Sequence, residues 1–343
     1  MARQTRDTVR AILGVALAAG LAAPANAQLF TWTAGSSGLW DNAGNWTPST
    51  AFPNSPTHDA ALAIGGGYVV TIDQDLVVRD LDIPDTSGVL EIVSSSELTV
   101  GGALIVDGTI EINAERVVFD SKLELDVLAG ATLSGVGQIR LFVASNTNDA
   151  QLNAVNGSVT IPGGLVVRGS GSLNGGFVNE GQIVADDADP VDGPFGSLQI
   201  NDIVTQVNGV IAAEDADVEL NSATITGGRL ESRGDNAIVA DGTPSQIGAV
   251  ELAGTLDIPG GNTVVELTDD LQLINGFVLL NDDLRVFNAI LRFEADALIN
   301  GSGQIVMRSA GQENDAQLLT ATGVTGRLGP GVVAPGLREG PGR

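Results

Sequence analysis

The chain is 343 residues long and carries 42 acidic against 16 basic residues, a formal net charge of −26 at pH 7. A surface of that sign repels phosphate backbones and anionic headgroups, which excludes nucleic acid and membrane surfaces as partners. Cysteine is absent, so disulfides, thiolate metal sites and cysteine nucleophiles are excluded, and stability rests on packing and backbone hydrogen bonds.

The first residues read as a targeting segment. Arg3, Arg6 and Arg10 precede the apolar run AILGVALAAGLAA over 11–23, and Ala25-Asn26-Ala27 supplies a small-x-small cleavage pattern. The run is too short to cross a bilayer, so residues 1–27 are expected to be a secretory signal cleaved after Ala27, with no membrane insertion. Its removal takes three basic residues and one acidic residue, leaving 13 and 41 and a net charge of −28. The expected location is extracellular, at the cell surface, or periplasmic.

The stretch TWTAGSSGLWDNAGNW over 31–46 contains all three tryptophans, Trp32, Trp40 and Trp46, of a chain with one tyrosine. Three uses suit such a cluster: covering the open end of an elongated fold, which is the favoured reading, stacking on sugar rings, or forming a small separately folding binding domain.

Beyond residue 60 short β-branched runs recur between Gly, Asn, Asp and Ser: LTV at 98, LIV at 104, IEI at 110, VVF at 117, LEL at 123, SVTI at 158, LVV at 165, QIV at 182, DVEL at 217, TLDI at 255 and FVLL at 277. These are strand signals broken by turn signals. No segment sustains a helical apolar period, and 45 glycines weigh against long helices.

Internal repetition selects among all-β architectures. Residues 131–152 (ATLSGVGQIRLFVASNTNDAQL) and 297–318 (ALINGSGQIVMRSAGQENDAQL) are identical at 11 of 22 positions at an offset of 166. VFDSKLEL at 118 matches VFNAILRF at 286 with a two-residue slip, and VLEI at 89 matches TLDI at 255. The predicted fold is an all-β, single right-handed parallel β-helix (β-solenoid) with roughly 20 residues per turn and about fifteen rungs. The predicted divisions are a Trp-rich cap with the first rungs over 28–88, one repeat block over 89–254, and an incomplete second copy over 255–343.

The opening residues Trp32, Trp40, Asn45-Trp46, Pro53, Pro56, Asp59-Ala60-Ala61 and VVTID, with the later phrases ATITGGRL at 223, GSLNGGFVNEGQIVAD at 171, GSGQIVM at 301 and GVVAPG at 331, resemble secreted bacterial β-helix surface proteins. That group includes autotransporter passengers and surface proteins with sorting tails. The resemblance implies a surface or matrix role, adhesive in some members. The sequence departs from the pattern in stopping at Arg343, after GVVAPG, with neither barrel nor sorting anchor.

Parallel β-helices also house enzymes that act on uronic-acid polymers. The adjacent pairs Asp186-Asp187, Asp269-Asp270 and Asp282-Asp283 cannot form a dyad on a strand, where neighbours face opposite sides, but can at a turn. The single histidine, His58, lies away from them in sequence, and Gly-His-Gly and Arg-x-Lys phrases are absent. DDADPVDG at 186–193 offers Asp187, Asp189 and Asp192 as oxygen ligands for Ca²⁺, but its glycine is misplaced for an EF-hand loop, and a plain excursion loop is the favoured reading. The paired Asn148-Asp149 and Asn314-Asp315 suggest a corner or ladder role, and Arg233-Gly234-Asp235 a chance match to an integrin tripeptide. No nucleotide fingerprint is present. The sequence therefore points to a non-enzymatic structural or adhesive solenoid without an obligate cofactor, whose partners are extracellular carbohydrate or surface proteins. The alternative is a polysaccharide-binding or polysaccharide-degrading β-helix, calcium-dependent or not.

Overall fold

The computed structural model describes residues 27–117, 120–186, 196–241, 244–285, 287–312 and 315–335. The described strands join into one continuous, almost wholly parallel assembly of 34 strands. Strands such as Val69–Ile72 (VVTI), Val89–Ile92 (VLEI) and Thr109–Ile112 (TIEI) alternate half-exposed and buried positions. Their second and fourth residues therefore face inward. Val70 pairs with Leu90, Leu90 with Ile110, Ile110 with Ile139 and Ile139 with Val167, each one turn further along the axis. All five are fully buried.

Three such sheets run the length of the molecule. On the second, Leu98, Leu123, Leu152, Leu173, Ile200 and Leu220 stack in register. On the third, Phe177, Val204, Ile225 and Ile247 do so. The chain visits the sheets in strict rotation, and long strands such as Ala150–Ile161 bend from the second to the third at a register shift between Ala154 and Ser158. Each buried Leu or Ile contributes about 1.5–3 kcal/mol relative to exposure, so stability is spread along one shared interior and the protein is a β-solenoid.

The first sheet contains thirteen strands among the described residues, against the fifteen rungs expected. Turn length also varies more than the expected period: Val70 to Leu90 is 20 residues, Ile110 to Ile139 is 29, and Val167 to Ile183 is 16. The surplus forms corner loops, which do not disturb the ladders. One expected strand is corrected: Val117, which opens the VVF run, lies in a corner loop, and the other two residues fall outside the described set. Ladders continue across both predicted divisions, since Val69 pairs with Val89 and Leu252 with Leu273; these divisions mark repetition in sequence.

The duplicated block is rotated about the axis. Val89–Ile92 lies on the first sheet, whereas its counterpart Thr255–Ile258 lies on the second. The copy follows after seven turns and one face. Local structure is nonetheless preserved. Gly135 and Gly301 both adopt positive φ, 111° and 93°. A Cβ at either would collide with the carbonyl of the turn before, at Val106 and Leu273.

The N-terminal end is closed. Gln28–Trp32 pairs in parallel with the strand Ser55–Ala61 on one side. On the other it meets Trp46–Thr47, the only antiparallel pairing among the described residues, with Trp32 opposite Trp46. This segment covers the open edge of the first turn, which would otherwise recruit further strands.

Candidate functional site

The indoles of Trp32, Trp40 and Trp46 are 0, 1 and 1% exposed. Trp46 packs edge-on against both others, with ring centroids 5.1 Å from Trp32 and 4.7 Å from Trp40. Trp40 Nε1 donates to the Pro53 carbonyl at 2.8 Å, and Trp46 Nε1 to the Trp40 carbonyl at 2.7 Å. No indole face meets solvent, so the sugar-stacking alternative is corrected: the rings belong to the cap because burying them together removes more apolar surface from water than any exposed arrangement.

His58 lies on the opening strand Ser55–Ala61, where its ring sits 4.9 Å from Phe30 and Nδ1 accepts the Asn54 N–H at 3.1 Å. Arg233 of the Arg-Gly-Asp tripeptide is ion-paired with Glu214 at 2.6 Å. Asp187, Asp189 and Asp192, the calcium candidates, lie outside the described residues. Among the described residues no group of three or more carboxylate or histidine side chains is arranged to hold a metal ion.

The second sheet carries a feature that sequence reading missed. Four consecutive turns align pairs on the outer face of the strands: Gln151 and Asn153, Ser172 and Asn174, Gln199 and Asn201, Glu219 and Asn221; Ser172 is covered and fully buried, and the others are half-buried. The asparagines form a continuous ladder. Asn174 Nδ2 donates to Asn153 Oδ1 at 2.8 Å, Asn201 Nδ2 to Asn174 Oδ1 at 2.7 Å, and Asn221 Nδ2 to Asn201 Oδ1 at 3.1 Å. Beside it, Thr147 Oγ1 donates to Gln199 Oε1 at 3.1 Å and ties a corner loop to the rim. Lys122 and Glu124 precede the stripe. Glu219 is its single ionisable member, and burial, opposed by the Ser197 hydroxyl and reinforced by Asp241 and Asp217, raises its pKa. The signal is spread over residues 20 to 27 apart, so no contiguous motif announces it.

Further along the same sheet, Asp257 pairs with Val239 on one turn and Leu279 on the next. Burial first, then the charges of Asp282, Asp283 and Asp217, push its carboxyl up to about 6, against the pull of Arg285. Its Oδ1 has no hydrogen-bond partner. Arg285 pairs with Asp283 at 2.5 Å and Arg308 with Asp282 at 2.9 Å. The turn after the strand Leu271–Leu280 thus brings the Asp282-Asp283 pair toward a third carboxyl that holds its proton to near neutrality. Perturbed carboxyls of this kind supply general acids.

Comparisons with known protein families, with curated proteins and with solved structures find no match to this chain.

Proposed function

We propose that this protein is an exported structural or adhesive β-solenoid of the cell surface or extracellular matrix, whose sheet faces contact extracellular carbohydrate or surface proteins. The observation that supports it is the hydrogen-bonded amide stripe over four turns of one parallel sheet. Backbone ladders on both sides of each strand fix those side chains at regular intervals, so the surface meets a ligand without reordering and with little entropic loss. The secretory signal read from residues 1–27 and the acidic composition fit an exported, soluble rod.

A second reading, a polysaccharide-degrading β-helix, is favoured by Asp257 alone, with Asp282 or Asp283 as its partner carboxylate. One screen separates the two: incubate the protein with neutral and uronic-acid polymers, with and without calcium, and measure retention on the polymer and release of products. Retention without product is the expected result. Product release abolished by Asp257→Asn would establish the second reading. Retention that requires calcium would bring Asp187, Asp189 and Asp192 back as ligands.

A further inference from the structure

We infer that the amide stripe on the second sheet is a docking surface for a neutral, extended polysaccharide laid along the solenoid axis. This rests on the adhesive reading above and names its ligand. Charge is the first argument. In a chain of net charge −26, four successive turns place Gln151, Gln199 and four asparagines, all half-buried, on the outer face, with Glu219 the one ionisable residue of that set. A polyanion nearing this patch meets repulsion from the rest of the molecule, whereas a neutral polyol meets none.

Hydrogen-bonding capacity is the second. A primary amide has two N–H donors and two acceptor lone pairs. Asn201 uses one donor on Asn174 and one lone pair on Asn221, and so keeps one of each for a neighbouring hydroxyl. Asn174 by contrast commits its Nδ2 to Asn153, Ser172 and Gln151, so Asn201 is the amide of the ladder best placed to meet a sugar hydroxyl.

Spacing is the third. Adjacent turns lie about 4.8 Å apart, and an extended glycan presents successive rings at a closely similar interval. A chain running along the axis keeps ring and turn in step over the stripe, roughly 14 Å from first turn to last. Lys122 and Glu124 bound it at one end and Asp241, the next outward residue after Asn221, at the other.

The test is calorimetric titration of the full protein with cellohexaose, mannohexaose, xylohexaose and hexagalacturonate. At least one neutral hexasaccharide is expected to bind and hexagalacturonate to bind more weakly. Gln199→Ala/Asn201→Ala should weaken neutral binding about fivefold or more. Gln151→Ala leaves the three asparagine-to-asparagine bonds in place and removes only the contacts of Gln151 to Asn174 Nδ2 and the Asn148 carbonyl; it should weaken binding in a protein that still folds, so the test survives if the double variant does not. Stronger binding of hexagalacturonate would overturn the inference and leave a carbohydrate-binding role standing. Unchanged affinity in both variants would also overturn it, by placing the contact elsewhere. Retention on matrix polymers with no neutral hexasaccharide bound would overturn it while the adhesive reading survives.

Discussion

Asp149 and Asp315, 166 residues apart, hold the same corner loop in two copies of one block. Asp149 Oδ2 accepts the backbone N–H groups of Ala144, Ser145 and Asn146 at 3.1, 2.8 and 3.1 Å. Asp315 Oδ2 accepts those of Ala310 and Gln312, both at 2.9 Å, with the Ser309 hydroxyl at 3.2 Å. Both carboxylates are buried, at 0 and 1% exposure. A loop that leaves the ladder loses its backbone partners, and a carboxylate placed inside it restores them. Replacement by alanine takes the shared acceptor away from several loop N–H groups. Asp149→Ala is expected to cost about 3 kcal/mol and Asp315→Ala about 2 kcal/mol, read as lost hydrogen-exchange protection confined to 144–150 and to the loop before 316.

Asn113 and Asn281 form a second equivalent pair. Each has positive φ, 61° and 59°, and is fully buried. Asn113 Nδ2 donates to the carbonyls of Val117 and Phe142 at 3.1 and 2.9 Å, and Asn281 Nδ2 to those of Arg285 and Arg308 at 3.0 and 3.3 Å. Alanine loses these bonds and strains the backbone, whereas glycine loses only the bonds. Asn113→Ala should cost about 3 kcal/mol and Asn113→Gly about 2 kcal/mol, measured as urea unfolding midpoints. The same order is expected at 281, and equal costs would sink the backbone argument.

The pH response of Asp257 has a defined sign. Its carboxyl rises from 3.8 to about 6 on folding, so the folded state holds that proton more tightly than the unfolded chain. The folded state is penalised above about pH 6, and the penalty fades as pH falls toward 4. Discounted for partial exposure, the effect is about 1–2 kcal/mol. Asp257→Asn should therefore raise the thermal midpoint at pH 8 and leave it nearly unchanged at pH 4. A variant with the same gain at both pH values would refute the assignment.

The cap predicts unequal costs for similar substitutions. Trp40 and Trp46 donate their indole N–H to carbonyls, while Trp32 Nε1 has no partner. Trp46→Phe should thus cost about 1–2 kcal/mol more than Trp32→Phe. Trp46→Ala should cost about 3–5 kcal/mol, with red-shifted emission and increased light scattering as the first turn opens. Retention of the blue emission without scattering would show that these rings do not close the end.

The strands at LEL 123, QIV 182 and FVLL 277 were legible because each is a short apolar or alternating run bounded by turn residues, a property of neighbours in sequence. The amide stripe was not. Asn153, Asn174, Asn201 and Asn221 each resemble an ordinary strand-end or turn residue, and only register makes them a ladder. The Asp257 site was equally hidden, because its perturbation comes from burial and from Asp282 and Asp283 on the next turn.

The sequence by itself determined the all-β class, the solenoid, the duplicated block and the tryptophan-rich opening. Strand periodicity, glycine-bounded turns and self-similarity are local quantities and survive in a one-dimensional reading. Tertiary structure alone decided how many residues each corner absorbs, and with that the placement of the second copy one face round from the first. Beyond the cap, turns of 16 to 29 residues accumulate into a rotation that no local pattern records. Which outward side chains stand above one another depends on that accumulated register, and so does every surface on which this protein can meet a partner.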